Sequence, residues 1–118
     1  MTAVAEHAAR RSWVPVCAVS DLVTGGGVAA LLPDDAQAAV FRTVAGEVFA
    51  LSNVDPFCGA AVLSRGILGD TGGVEFVASP MLKQRFDLRT GECLDAEGVR
   101  VPAYPVRVVG DVVQVGVP

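Results

Sequence analysis

Apolar positions along the chain fall in short valine-rich stretches that Gly, Pro or Asp interrupts every few residues. Recurring β-branched residues broken in this way favour short strands over helices. Trp13–Val19 opens the series, with its turn at Ser20-Asp21. Val28–Leu32 follows the flexible Gly25-Gly26-Gly27 and stops at Pro33-Asp34-Asp35, after which Ala38–Thr43 can return as an antiparallel partner. Gly46 allows a tight turn into Glu47–Leu51. Asn53–Asp70 reads as loop, with a short turn around Val62–Arg65. Strand pattern resumes at Val74–Ala78 and breaks at Ser79-Pro80. In Gln84–Leu88, Phe86 and Leu88 share one face while Arg85 and Asp87 share the other. Thr90-Gly91 then turns the chain so that Glu92–Leu94 can pair back. At the end Val106 and Val108 share a face, Gly110-Asp111 turns, and Val113 and Val115 share the returning face, opposite Arg107 and Gln114. About nine short strands with little helix predict an all-β antiparallel sandwich or partly closed barrel. Residues 1–12 are expected to form a flexible tail and 13–118 a single domain.

Composition narrows the function classes. At 118 residues the chain is one ordinary domain, and 52% hydrophobic against 19% charged residues is too apolar for disorder. No apolar run approaches the ~20 residues of a membrane span. A net charge of −4 argues against general binding to a nucleic-acid backbone. Three widely spaced cysteines, Cys17, Cys58 and Cys93, form no CxxC pair, which fits a reducing, cytoplasmic compartment. The single histidine, His7, lies in the expected tail and excludes any mechanism that needs two histidines of this chain.

The candidate chemical groups read mostly as structure. Gly25-Gly26-Gly27 lacks the Gly-Lys-Ser/Thr of a phosphate loop. Ser79 before Pro80 reads as a backbone cap, with no histidine or oxyanion motif to make it a nucleophile. Asp55 before Pro56 is placed to cap the amide of Phe57 or Cys58. Cys17 and Cys93 read as small core residues, and Cys58 as an exposed thiol. Tyr104 between Ala103 and Pro105 reads as an anchor for the chain crossover, with an interface role as the alternative. Lys83-Gln84-Arg85 is either a docking edge or a solvated strand face.

Four stretches carry a resemblance. They are Phe49–Phe57, Val62-Leu63-Ser64-Arg65-Gly66, Val77-Ala78-Ser79-Pro80 through Lys83-Gln84-Arg85-Phe86, and Val101-Pro102-Ala103-Tyr104-Pro105-Val106-Arg107-Val108. In this order, from about Trp13 to Val117, the chain resembles a Rieske-type [2Fe-2S] domain. More closely, it resembles the small subunit of assimilatory NAD(P)H-dependent nitrite reductase. Rieske centres hold one iron by two cysteines and the other by two histidines, in Cys-x-His and Cys-x-x-His loops. The resemblance puts these positions on Asp55 and Phe57 in the first loop and on Ser79 and Leu82 in the second. Phenylalanine and leucine offer iron no ligand, so all four positions are replaced. Phe57 and Leu82 are then expected to pack as an apolar clamp between the loops, where the cluster would have joined them.

The resemblance implies a non-catalytic small subunit that stabilises or shapes a large catalytic subunit reducing nitrite to ammonium in nitrogen assimilation. FAD, an iron–sulfur cluster and sirohaem belong to that partner, and this chain has no catalytic, cofactor-binding or metal-ligating residue. Arg65, Lys83 and Arg85 are candidates for orienting the contact. The alternative is an independent Rieske-like binding or regulatory module without a cluster.

Overall fold

Ala38, Ala39, Val40 and Phe41 are consecutive and all fully buried. A strand buried on both faces must lie inside a layered structure, and this one does. The computed structural model describes residues 12–118. Ten strands run in chain order: β1 (Ser12–Ala18), β2 (Gly26–Leu31), β3 (Gln37–Arg42), β4 (Val48–Ser52), β5 (Ile67–Thr71), β6 (Val74–Ala78), β7 (Arg85–Asp87), β8 (Ala103–Tyr104), β9 (Val106–Val109) and β10 (Val112–Val117). They form three antiparallel sheets, ordered β1-β10-β9, β2-β3-β4-β8 and β5-β6-β7. The described residues contain no α-helix, only short 3₁₀ turns such as Leu63–Arg65.

The second sheet is the middle layer. Ala39 and Phe41 on one face of β3 join Leu51, Leu63, Val77, Phe86, Leu88 and Val101 in one core. Ala38 and Val40 on the other face join Leu22, Leu32, Ala50, Val113 and Val115 in a second. The all-β antiparallel expectation holds, as three open sheets rather than a closed barrel.

Most expected strands and turns are present. β2 and β3 pair from Gly26↔Arg42 to Leu31↔Gln37, and Gly46 turns at φ 93° into β4. Arg107 faces Gln114 across the β9–β10 hairpin, its Nε donating to Oε1 at 2.6 Å. Two strands were not expected. Residues 53–70 are not all loop, because β5 starts at Ile67 and pairs with β6 from Ile67↔Ala78 to Thr71↔Val74. β8 is a two-residue strand pairing Tyr104 with Ala50 and Ala103 with Leu51. Glu92–Leu94 forms no strand; its contribution is two isolated bridges, Phe86↔Cys93 and Glu92↔Arg100. Of the expected tail, Ser12 pairs with Val117 at the start of β1; the rest, including His7, lies outside the described residues.

The fold brings the ends of β4 and β6 together. The loop after β4 runs into the Leu63–Arg65 turn, where the Leu63 amide donates to the Asn53 carbonyl at 3.0 Å and the Ser64 amide to Asn53 Oδ1 at 2.7 Å. A Cβ on Gly66 would collide with the Ala78 carbonyl and the Val77 side chain. Glycine at that point lets the first loop lie directly against the end of β6, where the second loop begins.

Candidate functional site

The two loops are built alike. Each opens on a residue with a short oxygen-bearing side chain followed by proline: Asp55-Pro56 and Ser79-Pro80. In each, that oxygen accepts the amide two residues on, Phe57 to Asp55 Oδ1 at 2.8 Å and Met81 to Ser79 Oγ at 3.2 Å. The amide four residues on donates to the opening carbonyl, Gly59 to Asp55 at 2.7 Å and Lys83 to Ser79 at 3.0 Å. The opening amide donates to the carbonyl five residues on, Asp55 to Ala60 and Ser79 to Gln84, both at 2.9 Å. The fifth residue of each turn is left-handed, Gly59 at φ 76° and Lys83 at φ 69°. Proline after an Asx- or Ser-type cap presets this geometry, so an Asp/Ser-Pro-x-x-x pattern repeated 24 residues apart was a signal available in the sequence.

The loops are joined at their base. Ser79 Oγ donates to Asp55 Oδ2 at 2.5 Å, a short hydroxyl–carboxyl hydrogen bond. Both residues are fully buried. The expected caps by Asp55 and Ser79 are therefore present. The expected clamp is not: Leu82 is 59% exposed and Phe57 37% exposed. Phe57 instead leans on Phe86, with ring centroids 6.2 Å apart. A polar bond between the two opening residues holds the loops, because an Asp–Ser pair can satisfy itself in the interior and frees the apolar side chains to face outward.

The same geometry tests the cluster that the fold implies. Two oxygens in direct hydrogen-bond contact leave no space for an iron between them, and Phe57 and Leu82 have no donor atoms. The residues present do not fit a [2Fe-2S] centre. Among the described residues, no three His, Cys, Asp or Glu side chains gather to hold a metal ion.

The remaining candidates are placed as follows. Cys58 is exposed beside Phe57, and Cys17 and Cys93 are half-buried thiols. Burial pushes the Cys17 thiol up, with Asp21 adding to it. Arg65 and Lys83 are exposed. Arg85 is not free to orient a partner: its Nη2 and Nε donate to Asp95 Oδ1 and Oδ2 at 2.7 and 3.1 Å, and its amide to Oδ2 at 2.8 Å. Those bonds hold the Asp95 carboxyl below the usual range. Tyr104 is half-buried against the second core, as an anchor would be.

An acidic groove of about 580 Å³ lies elsewhere, lined by Thr43, Glu47, Leu68, Asp70 and Glu75 among others. Arg89 spans Glu47 at 3.1 Å and Glu75 at 3.5 Å, and its guanidinium lies 4.9 Å from the Phe49 ring centre. Sequence reasoning did not single out this cluster.

Residues 12–116 match the model of the Rieske-like [2Fe-2S] domain. A crystal structure from Mycobacterium tuberculosis, described as an NADH-dependent nitrite reductase small subunit, superposes with a TM-score of 0.88 at 50% identity, covering 92% of this chain and 96% of that one. The nitrite reductase (NADH) small subunit of Escherichia coli is 45% identical over 103 residues, 86% of this chain and 94% of that protein. The nitrite reductase [NAD(P)H] large subunit of Klebsiella oxytoca contains a region 42% identical over 106 residues, 90% of this chain but 11% of that one. The chain belongs to the Rieske-like [2Fe-2S] domain family, and within it to the small subunits of NADH-dependent nitrite reductase.

Proposed function

We propose that this chain is the small, non-catalytic subunit of a cytoplasmic NAD(P)H-dependent nitrite reductase, and that it stabilises or shapes the large subunit that reduces nitrite to ammonium. The observation that carries the reading is the match, over nearly the whole domain, to small subunits and to a stretch within a large subunit. A domain found both as a separate chain and inside the catalytic chain is a part of that assembly. The Asp55–Ser79 bond supports a non-redox role, since it occupies the base of the loops where two cysteines would hold iron. One Rieske-like unit, residues 13–118, carries the contact, and no group of this chain takes part in the chemistry. FAD, an iron–sulfur cluster and sirohaem belong to the large subunit in this reading, so electrons pass from nicotinamide to nitrite without entering this chain. Among the described residues, no helix is long and apolar enough to cross a membrane.

The test is titration of this chain into its isolated large subunit while following NAD(P)H-dependent nitrite reduction and complex mass. Stable association is expected, with a gain in turnover or in retention of the partner's cofactors. Absence of association under conditions that keep both chains folded overturns the reading and favours an independent binding module.

A further inference from the structure

The end of the molecule that carries the twin turns has the surface of a protein contact. Phe57, Met81 and Leu82 are 37%, 52% and 59% exposed there, and Pro56 and Cys58 beside them face solvent. Large apolar groups gathered on joined loops mark a contact surface, and the exposed Val108, Val109 and Val112 of the β9–β10 hairpin make a second such cluster. Charge sets the twin-turn end apart. The chain carries a net charge of −4, yet from Asn53 to Gly69 and from Phe76 to Phe86 the single carboxylate is Asp55, and that one is buried beneath the turns. Arg65 and Lys83 are the exposed cations of the same stretches.

Lys83 is the sharper observation. Its twin position is Gly59, which takes the left-handed conformation without steric cost; lysine at φ 69° does not. Asp35, at φ 63°, is the other exposed non-glycine residue in this conformation, but aspartate is tolerated there better than lysine, and the turn itself needs no lysine. Among the described residues no carboxylate pairs with Lys83. The turns are also closed by their own backbone bonds and joined at the base, so docking them loses little conformational freedom.

We propose that this end is the face that docks on the large subunit, against an apolar surface that presents a carboxylate to Lys83. The proposal rests on the subunit reading above. The large subunit is the occupant, rather than a second copy of this chain, because a matching domain is carried within such a subunit and because two acidic chains meeting through the same cationic end would oppose Lys83 with Lys83.

The experiment uses the full chain and its cognate large subunit, with complex mass verified first. Iodoacetamide should alkylate Cys58 at least about tenfold more slowly in the complex than in the free chain, since the centre of an interface excludes solvent. Peptide masses separate Cys58 from Cys17 and Cys93. Leu82→Asp should weaken binding about thirtyfold, as loss of an apolar anchor does. Lys83→Gly should leave the thermal midpoint unchanged or higher, because it relieves strain, yet weaken binding about two- to fivefold, less so in high salt. Val109→Asp, on the exposed β9–β10 hairpin, should bind as wild type. Alkylation of Cys58 at the free rate inside a complex of correct mass overturns the proposal and leaves the subunit reading standing. So does weakening by Val109→Asp with none by Leu82→Asp. Failure of the wild-type chain to form any complex overturns both.

Discussion

Asp55 and Ser79 show how one buried hydrogen bond can join two loops at their base. Each oxygen has a partner: Asp55 receives the Phe57 amide on Oδ1 and the Ser79 hydroxyl on Oδ2, and Ser79 Oγ also receives the Met81 amide. Removing one partner strands the other in the interior. Ser79→Ala should therefore cost about 1–3 kcal/mol of stability, and a cycle with Asp55→Ala should show coupling. Leu82→Ala, at a side chain more exposed than buried, should stay within about 0.5 kcal/mol. Urea midpoints of the four variants check this. An apolar clamp would reverse the order, with Leu82→Ala the damaging change and Ser79→Ala the mild one. The cap at Asp55 was legible because Asp-Pro acts within three residues. The bond to Ser79 was not, because nothing local links two residues 24 positions apart, and reading Phe57 and Leu82 as buried followed from hydrophobicity without knowledge of which way the loops face.

Between elements, surface charge adds to the apolar core that packs the middle and third sheets together. Glu75 on β6, Glu47 ahead of β4 and Arg89 beyond β7 tie the third sheet to the middle one. Glu75 is pushed up, first by desolvation and then by the hydrogen bond and charge of Glu47 and the charge of Asp70, with Arg89 opposing. Glu47 is held below its ordinary value, chiefly by its hydrogen bond to Arg89. A raised carboxyl contributes its full stability where it is protonated in both states. As pH climbs through its folded-state value, the folded chain gives up a proton the unfolded chain has already lost, and that contribution disappears. Glu75→Gln keeps a donor for Glu47 without the charge. It should raise the urea midpoint near pH 7 and leave it closer to wild type near pH 4; a gain confined to acid pH would contradict the assignment. The elements themselves were read from sequence where apolar alternation was strong, as at Gln84–Leu88 and the Val-rich final hairpin. β5 was missed because Gly66 and Gly69 bracket its two apolar residues and leave no alternation to count, and because its order comes from pairing with β6. β8, two residues between Pro102 and Pro105, pairs with β4 at one edge of the middle sheet.

For the molecule as a whole, the three-sheet stack buries its apolar residues on both faces of the middle layer and turns a cation-bearing apolar end outward. The Klebsiella oxytoca large subunit carries a region 42% identical to this domain within one chain. Joining changes concentration rather than contacts. A flexible linker converts a bimolecular encounter into an intramolecular one at an effective concentration on the order of millimolar, provided it can span the two attachment points. A fusion of this chain to its large subunit should then hold its specific nitrite reductase activity on dilution, whereas the two-chain enzyme should lose activity once diluted below its dissociation constant. The sensitive form of the experiment combines the fusion with Leu82→Asp. At high effective concentration a contact weakened about thirtyfold is still largely made, so the fused variant should recover most of the activity that the same substitution removes from the two-chain enzyme. If activity falls equally on dilution in fused and separate forms, association of this domain is not what turnover depends on. If Leu82→Asp is as damaging in the fusion as in the separate chains, the substitution acts on the fold or the chemistry rather than on docking.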